Sequence, residues 1–202
     1  DNVLYIHVTL LPYLGSTQEL KTKPTQHSVN ELRRIGIQPD VIICRADYPV
    51  PESLRNKISL FCDVERQAVI PMTTIPTVYE VPLVLEEEGL GQLIVDKLGL
   101  NAEPSDLARW RQLVSALKAP RQPVNIALVG KYVELKDAYY SVREALCHAA
   151  LHHNREAKVT WVPSEELAKE GGEAMLRSAQ GIVVPGGFGI RGIEGMVKAA
   201  TY

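Results

Sequence analysis

Two lysines, two threonines and a glutamine lie side by side in Lys21-Thr22-Lys23-Pro24-Thr25-Gln26. An amphipathic helix pattern follows at once, with apolar positions at Val29, Leu32 and Ile35. We expect Thr25 to be the N-cap of this helix. A helix N-terminus attracts anions, and lysine ammonium groups beside it suit a chain of phosphates. The run therefore predicts a phosphate site, although two lysines before a capped helix are also typical of a plain solvated surface.

The overall charge requires any such anion site to be local. With 22 basic and 24 acidic residues the net charge is −2, which does not support general nucleic-acid binding. No apolar run has the length of a membrane span, and the first residues do not resemble a signal peptide. Three cysteines lack zinc-ligand spacing, and we expect Cys44 and Cys62 to be buried thiols. These features indicate a cytoplasmic protein without a metal site or a membrane or nucleic-acid partner.

The first half of the chain has the pattern of a βαβ unit. Residues 3–11 are almost continuously apolar and predict a strand buried on both faces, and residues 40–44 predict a second buried strand. The lysine run then lies at the carboxyl end of the first strand, where open α/β sheets bind ligands. A helix is expected over residues 52–61, a third strand over 68–70 and a loop over 71–75. Leu54, Ile58 and Phe61 form the expected inner face of that helix.

The second half restarts the same pattern after a linker. A helix capped near Asp106 and followed by Pro120 and Pro123 predicts a connection between domains. Beyond it, the periodicity predicts strands over 125–129, 159–162 and 181–184, and helices over 137–153, from 164 and over 194–200. The fold class is therefore α/β, with two units that each contain a parallel sheet.

A glycine-rich run follows the last of these strands, in Pro185-Gly186-Gly187-Phe188-Gly189. Glycines let the backbone turn freely and bring N–H donors close to a reacting carbonyl, as in an oxyanion hole. Phe188 would then separate that pocket from water. Gly187, Gly189 and Gly192 also match the G-x-G-x-x-G spacing of a dinucleotide site, although the motif comes late in its domain for a Rossmann fold.

The fuller motifs resemble known families along nearly the whole chain. Lys-Thr-Lys-Pro-Thr-Gln-His-Ser-Val resembles the pyrimidine-nucleotide motif of the CTP synthase family, and Val-Pro-Gly-Gly-Phe-Gly resembles the oxyanion strand of class I glutamine amidotransferases. The resemblance implies the C-terminal part of a synthetase domain over residues 1–100 and an interdomain linker over 101–123. It implies the N-terminal part of an amidotransferase domain over 124–202. Because the chain also begins without Met, we expect a fragment of a longer enzyme.

The same resemblance implies roles for individual residues. The residues that bind UTP and CTP would be Lys21, Thr22, Lys23, Pro24, Thr25, Gln26 and Lys57. The ATP site would include Thr73, Thr74 and Ile75. The glutamine site would include Gly186, Gly187 and Phe188. No catalytic residue is expected within the chain. The cysteine nucleophile and its His-Glu pair would lie beyond Tyr202, and the magnesium carboxylates ahead of Asp1.

The implied reaction is the ATP-dependent amination of UTP to CTP with ammonia from L-glutamine. Mg²⁺ would accompany ATP, GTP is a possible allosteric activator, and a homotetramer is implied. The fragment alone is predicted to be inactive. Two alternatives stay open: a noncatalytic nucleotide-binding module, and a nicotinamide-dependent oxidoreductase built on Gly187, Gly189 and Gly192.

Overall fold

The computed structural model describes residues 2–202, apart from the side chain of residue 136. The chain divides into two compact units, the first ending at Val114 and the second comprising Ser115–Tyr202. The first unit contains β1 Ile6–Leu10, β2 Tyr13–Leu14, β3 Glu19–Leu20, α1 Lys23–Arg34, β4 Val41–Ala46, α2 Glu52–Cys62, β5 Val69–Thr73, α3 Val81–Glu87 and α4 Leu90–Leu98. Helix α5, Ala108–Lys118, begins in the first unit and ends in the second.

The second unit contains β6 Gln122–Gly130, α6 Tyr140–His152, β7 Arg155–Pro163, α7 Ser164–Ala168, β8 Gly181–Val183 and α8 Ile193–Thr201. Short 3₁₀ turns precede β5, α3 and α6 and lie between α7 and β8. Across residues 2–202, no helix is both long enough and apolar enough to cross a membrane. Both units have the predicted α/β class, with a parallel sheet in each.

A parallel sheet of order β1-β4-β5 organises the first unit. The central strand β4 is buried at Val41, Ile42, Ile43 and Cys44, as predicted. Burial raises the pKa of the Cys44 thiol to about 11, and Cys62 is buried as well. Both thiols therefore belong to the core.

Strand β1 differs from its prediction, because only one of its faces is covered. Thr9 is buried towards α1, whereas Ile6, Val8 and Leu10 on the opposite face are exposed. In this sheet β1 is an edge strand with β4 as its neighbour. An apolar run indicates that a strand can be buried on both faces, but it does not indicate which elements will cover those faces.

Helix α1 begins earlier than predicted, and the prediction that Thr25 is its N-cap is wrong. Thr22 occupies the N-cap position, and Pro24 lies in the first turn, where its fixed φ is compatible with a helix. Thr25 is thus inside the helix and fully buried. The following helix, α2, agrees with its predicted bounds, but it buries Ile58 and Cys62 and leaves Phe61 exposed, so the expected inward orientation of Phe61 is also wrong.

The predicted loop at 71–75 is a strand over its first three residues. Pro71, Met72 and Thr73 belong to β5 and pair with β4, with Cys44 opposite Pro71. A proline is tolerated here because β5 lies at the sheet edge, where the missing N–H need not join a ladder. Thr74 and Ile75 follow the strand as predicted.

The second unit is built on a parallel sheet of order β7-β6-β8. Its central strand β6 buries Ala127, Leu128 and Val129. Helix α6 begins at Tyr140, three residues later than predicted, because a 3₁₀ turn occupies Lys136–Tyr139. The other predicted elements of this unit are present, with ends that differ by a few residues.

Helix α8 packs very closely against the start of α7. A Cβ atom at Gly195 would overlap the backbone carbonyl oxygen of Ser164. At Gly192, just before α8, a Cβ atom would overlap the Ser164 hydroxyl. The helix that follows the glycine-rich run is therefore positioned by backbone contact, which only glycine permits.

We predict that Gly195→Ala destabilises the second unit by about 1–3 kcal/mol, the usual cost of overpacking a tight contact. The measurement is the denaturant dependence of amide hydrogen exchange in β6. Gly186→Ala is the matched control, because a Cβ atom at Gly186 meets no atom within 4 Å. Equal stability of the two variants would contradict the proposed backbone contact between α8 and α7.

Candidate functional site

The three predicted phosphate-binding lysines share one surface depression of about 550 Å³ in the first unit. Lys21 follows β3, Lys23 is the first residue of α1, and Lys57 lies in the middle of α2. The antiparallel pair β2–β3 and the two helices thus bring lysines from different parts of the chain to one depression. The lining residues are Pro12, Leu14, Glu19, Leu20, Lys21, Thr22, Lys23, Pro24, Leu54 and Lys57.

Backbone and hydroxyl contacts fix the segment that carries Lys21 and Lys23. The Lys21 amide donates to the carbonyl oxygen of Pro12 at 2.9 Å. Thr22 is buried, and its hydroxyl accepts a hydrogen bond from the Gln26 side-chain amide at 3.2 Å. The backbone between the two lysines is therefore held in place.

Thr25 and Gln26 lie outside the lining of this depression. The Thr25 hydroxyl donates to the hydroxyl of Thr9 at 3.0 Å and lies 3.4 Å from the Leu10 carbonyl oxygen. These contacts attach α1 to β1 in the interior of the unit. In this structure the two residues therefore position the lysine segment, and direct nucleotide contact stays a prediction for them.

Glu19 is a further residue of the depression, and the sequence reasoning did not identify it. Its carboxylate forms an ion pair with the Lys21 ammonium group. The hydrogen bond and charge of Lys21, together with the more distant charge of Lys57, lower the pKa of Glu19. Glu19 thus competes with any incoming anion for Lys21. An acidic residue two positions before the first lysine was the only available sequence signal.

The candidate ATP residues lie at the carboxyl ends of β4 and β5. Thr73 ends β5, and the backbone amide of Thr74 donates to the Ala46 carbonyl oxygen at 2.9 Å. The Thr74 hydroxyl donates to Asp47 at 2.8 Å. This edge is where parallel α/β sheets bind ligands, but Thr73, Thr74 and Ile75 do not line the lysine depression.

The glycine-rich run forms an open loop after β8. Gly186 and Gly187 have no positive φ, and nothing crowds Gly186, so Gly186→Ala meets no steric barrier here. Positive φ occurs instead at Gly189 (+79°) and Gly192 (+68°). Phe188 is fully exposed in this structure, and its role in separating a pocket from water stays a prediction. Glycine is thus required at the later positions of the run.

A lysine that the sequence reasoning also missed lies beneath this loop. Lys131 follows β6 and is only 7% exposed. Its Nζ donates to the carbonyl oxygens of Phe188 at 3.0 Å and Gly189 at 2.7 Å. No sequence signal links two segments this far apart in the chain. Elsewhere, the described residues contain no group of three or more His, Cys, Asp or Glu side chains that could hold a metal ion.

Comparison with known proteins supplies an independent result. Residues 1–100 match the family described as CTP synthase N-terminus, and residues 134–202 match Glutamine amidotransferase class-I. Whole-chain relatives include proteins named CTP synthase from Dehalococcoides mccartyi (69% identical), Roseiflexus sp. (59%) and Pelotomaculum thermopropionicum (55%). All of this chain is covered, but it spans only 37%, 36% and 37% of those relatives.

The parallel sheet and glycine loop of the second unit, together with the match over residues 134–202, define the start of a class I glutamine amidotransferase region. The first 100 residues add the CTP synthase region. The chain thus contains a CTP synthase N-terminal region followed by the start of an amidotransferase region, and it spans little more than a third of the length of the relatives that it matches.

We predict that Glu19→Gln tightens triphosphate binding about two- to five-fold, because breaking an exposed ion pair frees Lys21 at a small cost. The measurement is the Kd of inorganic triphosphate for a protein that carries this segment. Glu31→Gln is the matched control, because Glu31 pairs with Arg34 on α1 and the net charge changes equally. If both variants bind inorganic triphosphate equally, Glu19 does not compete for Lys21.

Proposed function

We propose that the complete protein is a glutamine-dependent CTP synthase. ATP phosphorylates the 4-oxygen of UTP, glutamine hydrolysis releases ammonia, and ammonia displaces the phosphate to give CTP. The observation that carries this proposal is the convergence of Lys21, Lys23 and Lys57 on one depression, within a chain that matches both a CTP synthase region and an amidotransferase region.

The depression suits a triphosphate in size and charge. Three lysines line it, and their ammonium groups can bind phosphate oxygens through charge-assisted hydrogen bonds. Thr22 and Pro24 also line it, and Thr25 and Gln26 support the same segment. UTP and CTP carry the same triphosphate, so one site serves both the substrate and a product that acts as a feedback inhibitor.

In the proposed organisation residues 1–100 belong to the synthetase domain, 101–123 to the linker and 124–202 to the amidotransferase domain. The division between the compact units falls between Val114 and Ser115, inside α5 and within the proposed linker. Thr73, Thr74 and Ile75 border the ATP site in this proposal. Gly186, Gly187 and Phe188 form part of the glutamine site.

The remaining parts of the proposed enzyme lie in stretches of the relatives that this chain does not span. They include the cysteine nucleophile with its His-Glu pair and the carboxylates for Mg²⁺, which would help to neutralise ATP phosphate charge. GTP is proposed as an allosteric activator. We further propose a cytoplasmic homotetramer, with the UTP site assembled across subunits.

We predict that Lys21→Ala in the complete enzyme weakens UTP binding about ten- to hundred-fold, since a charge-assisted hydrogen bond contributes roughly 1.5–3 kcal/mol. Inhibition by CTP weakens by a similar factor, because both nucleotides present the same triphosphate. Both are obtained from steady-state kinetics, with UTP varied and CTP as inhibitor.

Lys97→Ala is the control for that experiment, because Lys97 pairs with Glu65 away from the depression and leaves both constants unchanged. A variant in which UTP affinity falls while CTP inhibition stays the same would refute the shared triphosphate site.

We also predict that the 202-residue chain alone neither hydrolyses glutamine nor makes CTP. Cys147 does not replace the missing nucleophile, because it lies on α6 and burial raises the pKa of its thiol. Glutamate release from glutamine by the purified chain is the measurement. Activity that is abolished by Cys147→Ser would overturn this prediction.

A further inference from the structure

The ammonium group of Lys131 is buried among backbone carbonyls. A buried charge is costly unless polar groups compensate it. Here the compensation comes from the carbonyl oxygens of Phe188 and Gly189, at 3.0 and 2.7 Å from Nζ. Within residues 2–202, no carboxylate forms an ion pair with Lys131. The side chain therefore binds the glycine loop itself.

This contact orients the peptide groups of the loop. None of the described peptide bonds is cis, so the C=O and N–H of each peptide unit point in opposite directions. With the carbonyls of Phe188 and Gly189 directed at Lys131, the N–H groups of Gly189 and Ile190 point away from it. Neither N–H makes a hydrogen bond to another residue that the structure describes. Both are available as donors to a ligand.

Lys131 is itself held firmly in place. Its backbone N–H donates to the Tyr139 hydroxyl at 2.9 Å, and its carbonyl accepts from Arg191 at 3.2 Å. Its stem also supports the loop, since Cβ positions at Gly187 and Gly192 would lie 3.5 and 3.4 Å from its carbon atoms. The lysine is thus a fixed connection between the end of β6 and the loop that follows β8.

We propose that Lys131 is a positioning residue for glutamine hydrolysis, which rests on the function proposed above. During attack on the glutamine amide, negative charge develops on the carbonyl oxygen, and it is stabilised only by donors at a suitable distance. Because Lys131 binds two carbonyl groups on one side of the loop, the N–H groups of the loop face the opposite side. Lys131 does not contact the substrate.

The test compares Lys131→Met, which keeps the length of the side chain but removes its donors, with Lys198→Met in the complete enzyme. Lys198 is a matched control, because it also donates to a backbone carbonyl in this unit, that of Lys169. We expect kcat for glutamine hydrolysis to fall about 10²-fold in the Lys131 variant, with KM for glutamine little changed. CTP formation from supplied ammonia and all activities of Lys198→Met are retained.

A normal kcat in Lys131→Met, an equal loss of the glutamine and ammonia reactions, or a change in KM alone would overturn the proposal. If Lys131→Met does not fold, Lys131→Arg replaces it. Arginine keeps the charge but moves the donor atoms, so the same fall in kcat is expected, and full activity overturns the proposal. Failure of the proposed CTP synthase function would give a different result, because the unmodified enzyme would then make no CTP from either nitrogen source.

Discussion

Like-charge repulsion among Lys21, Lys23 and Lys57 is the constraint that the first unit has to accommodate. Three ammonium groups around one depression repel each other, and water screens that repulsion because the depression is open. Glu19 offsets part of the charge at Lys21. The free protein therefore has an excess of positive charge at one place on an otherwise slightly acidic chain. A bound polyanion would relieve this repulsion.

The scaffold holds these charges with uncharged contacts in its interior. The Thr25–Thr9 hydrogen bond attaches α1 to β1, while Ile58 and Cys62 anchor α2 in the core. In the second unit a lysine charge serves another purpose, because the buried ammonium group of Lys131 binds backbone carbonyl groups and not a ligand. In both units the residues with fixed positions lie beneath the surface that would contact the substrate.

Much of this fold could be predicted from the sequence, because apolar periodicity and turn residues act locally. The α/β class and the central strands follow from such patterns, whereas the grouping of Lys57 with the other two lysines was implied only by the family resemblance. The exposed face of β1 and the outward Phe61 could not be predicted, because they depend on which elements cover a surface. Glu19 and Lys131 were missed for the same reason: their roles arise from tertiary contacts with groups that sequence spacing does not connect.

The proposed nucleotide site places one triphosphate between the three lysines. The most direct measurement is a structure of the complete enzyme with UTP bound. We predict phosphate oxygens at about 2.7–3.2 Å from Nζ of Lys21, Lys23 and Lys57, with Glu19 displaced from Lys21. A triphosphate bound elsewhere, with these ammonium groups facing only solvent and Glu19, would rule out this site.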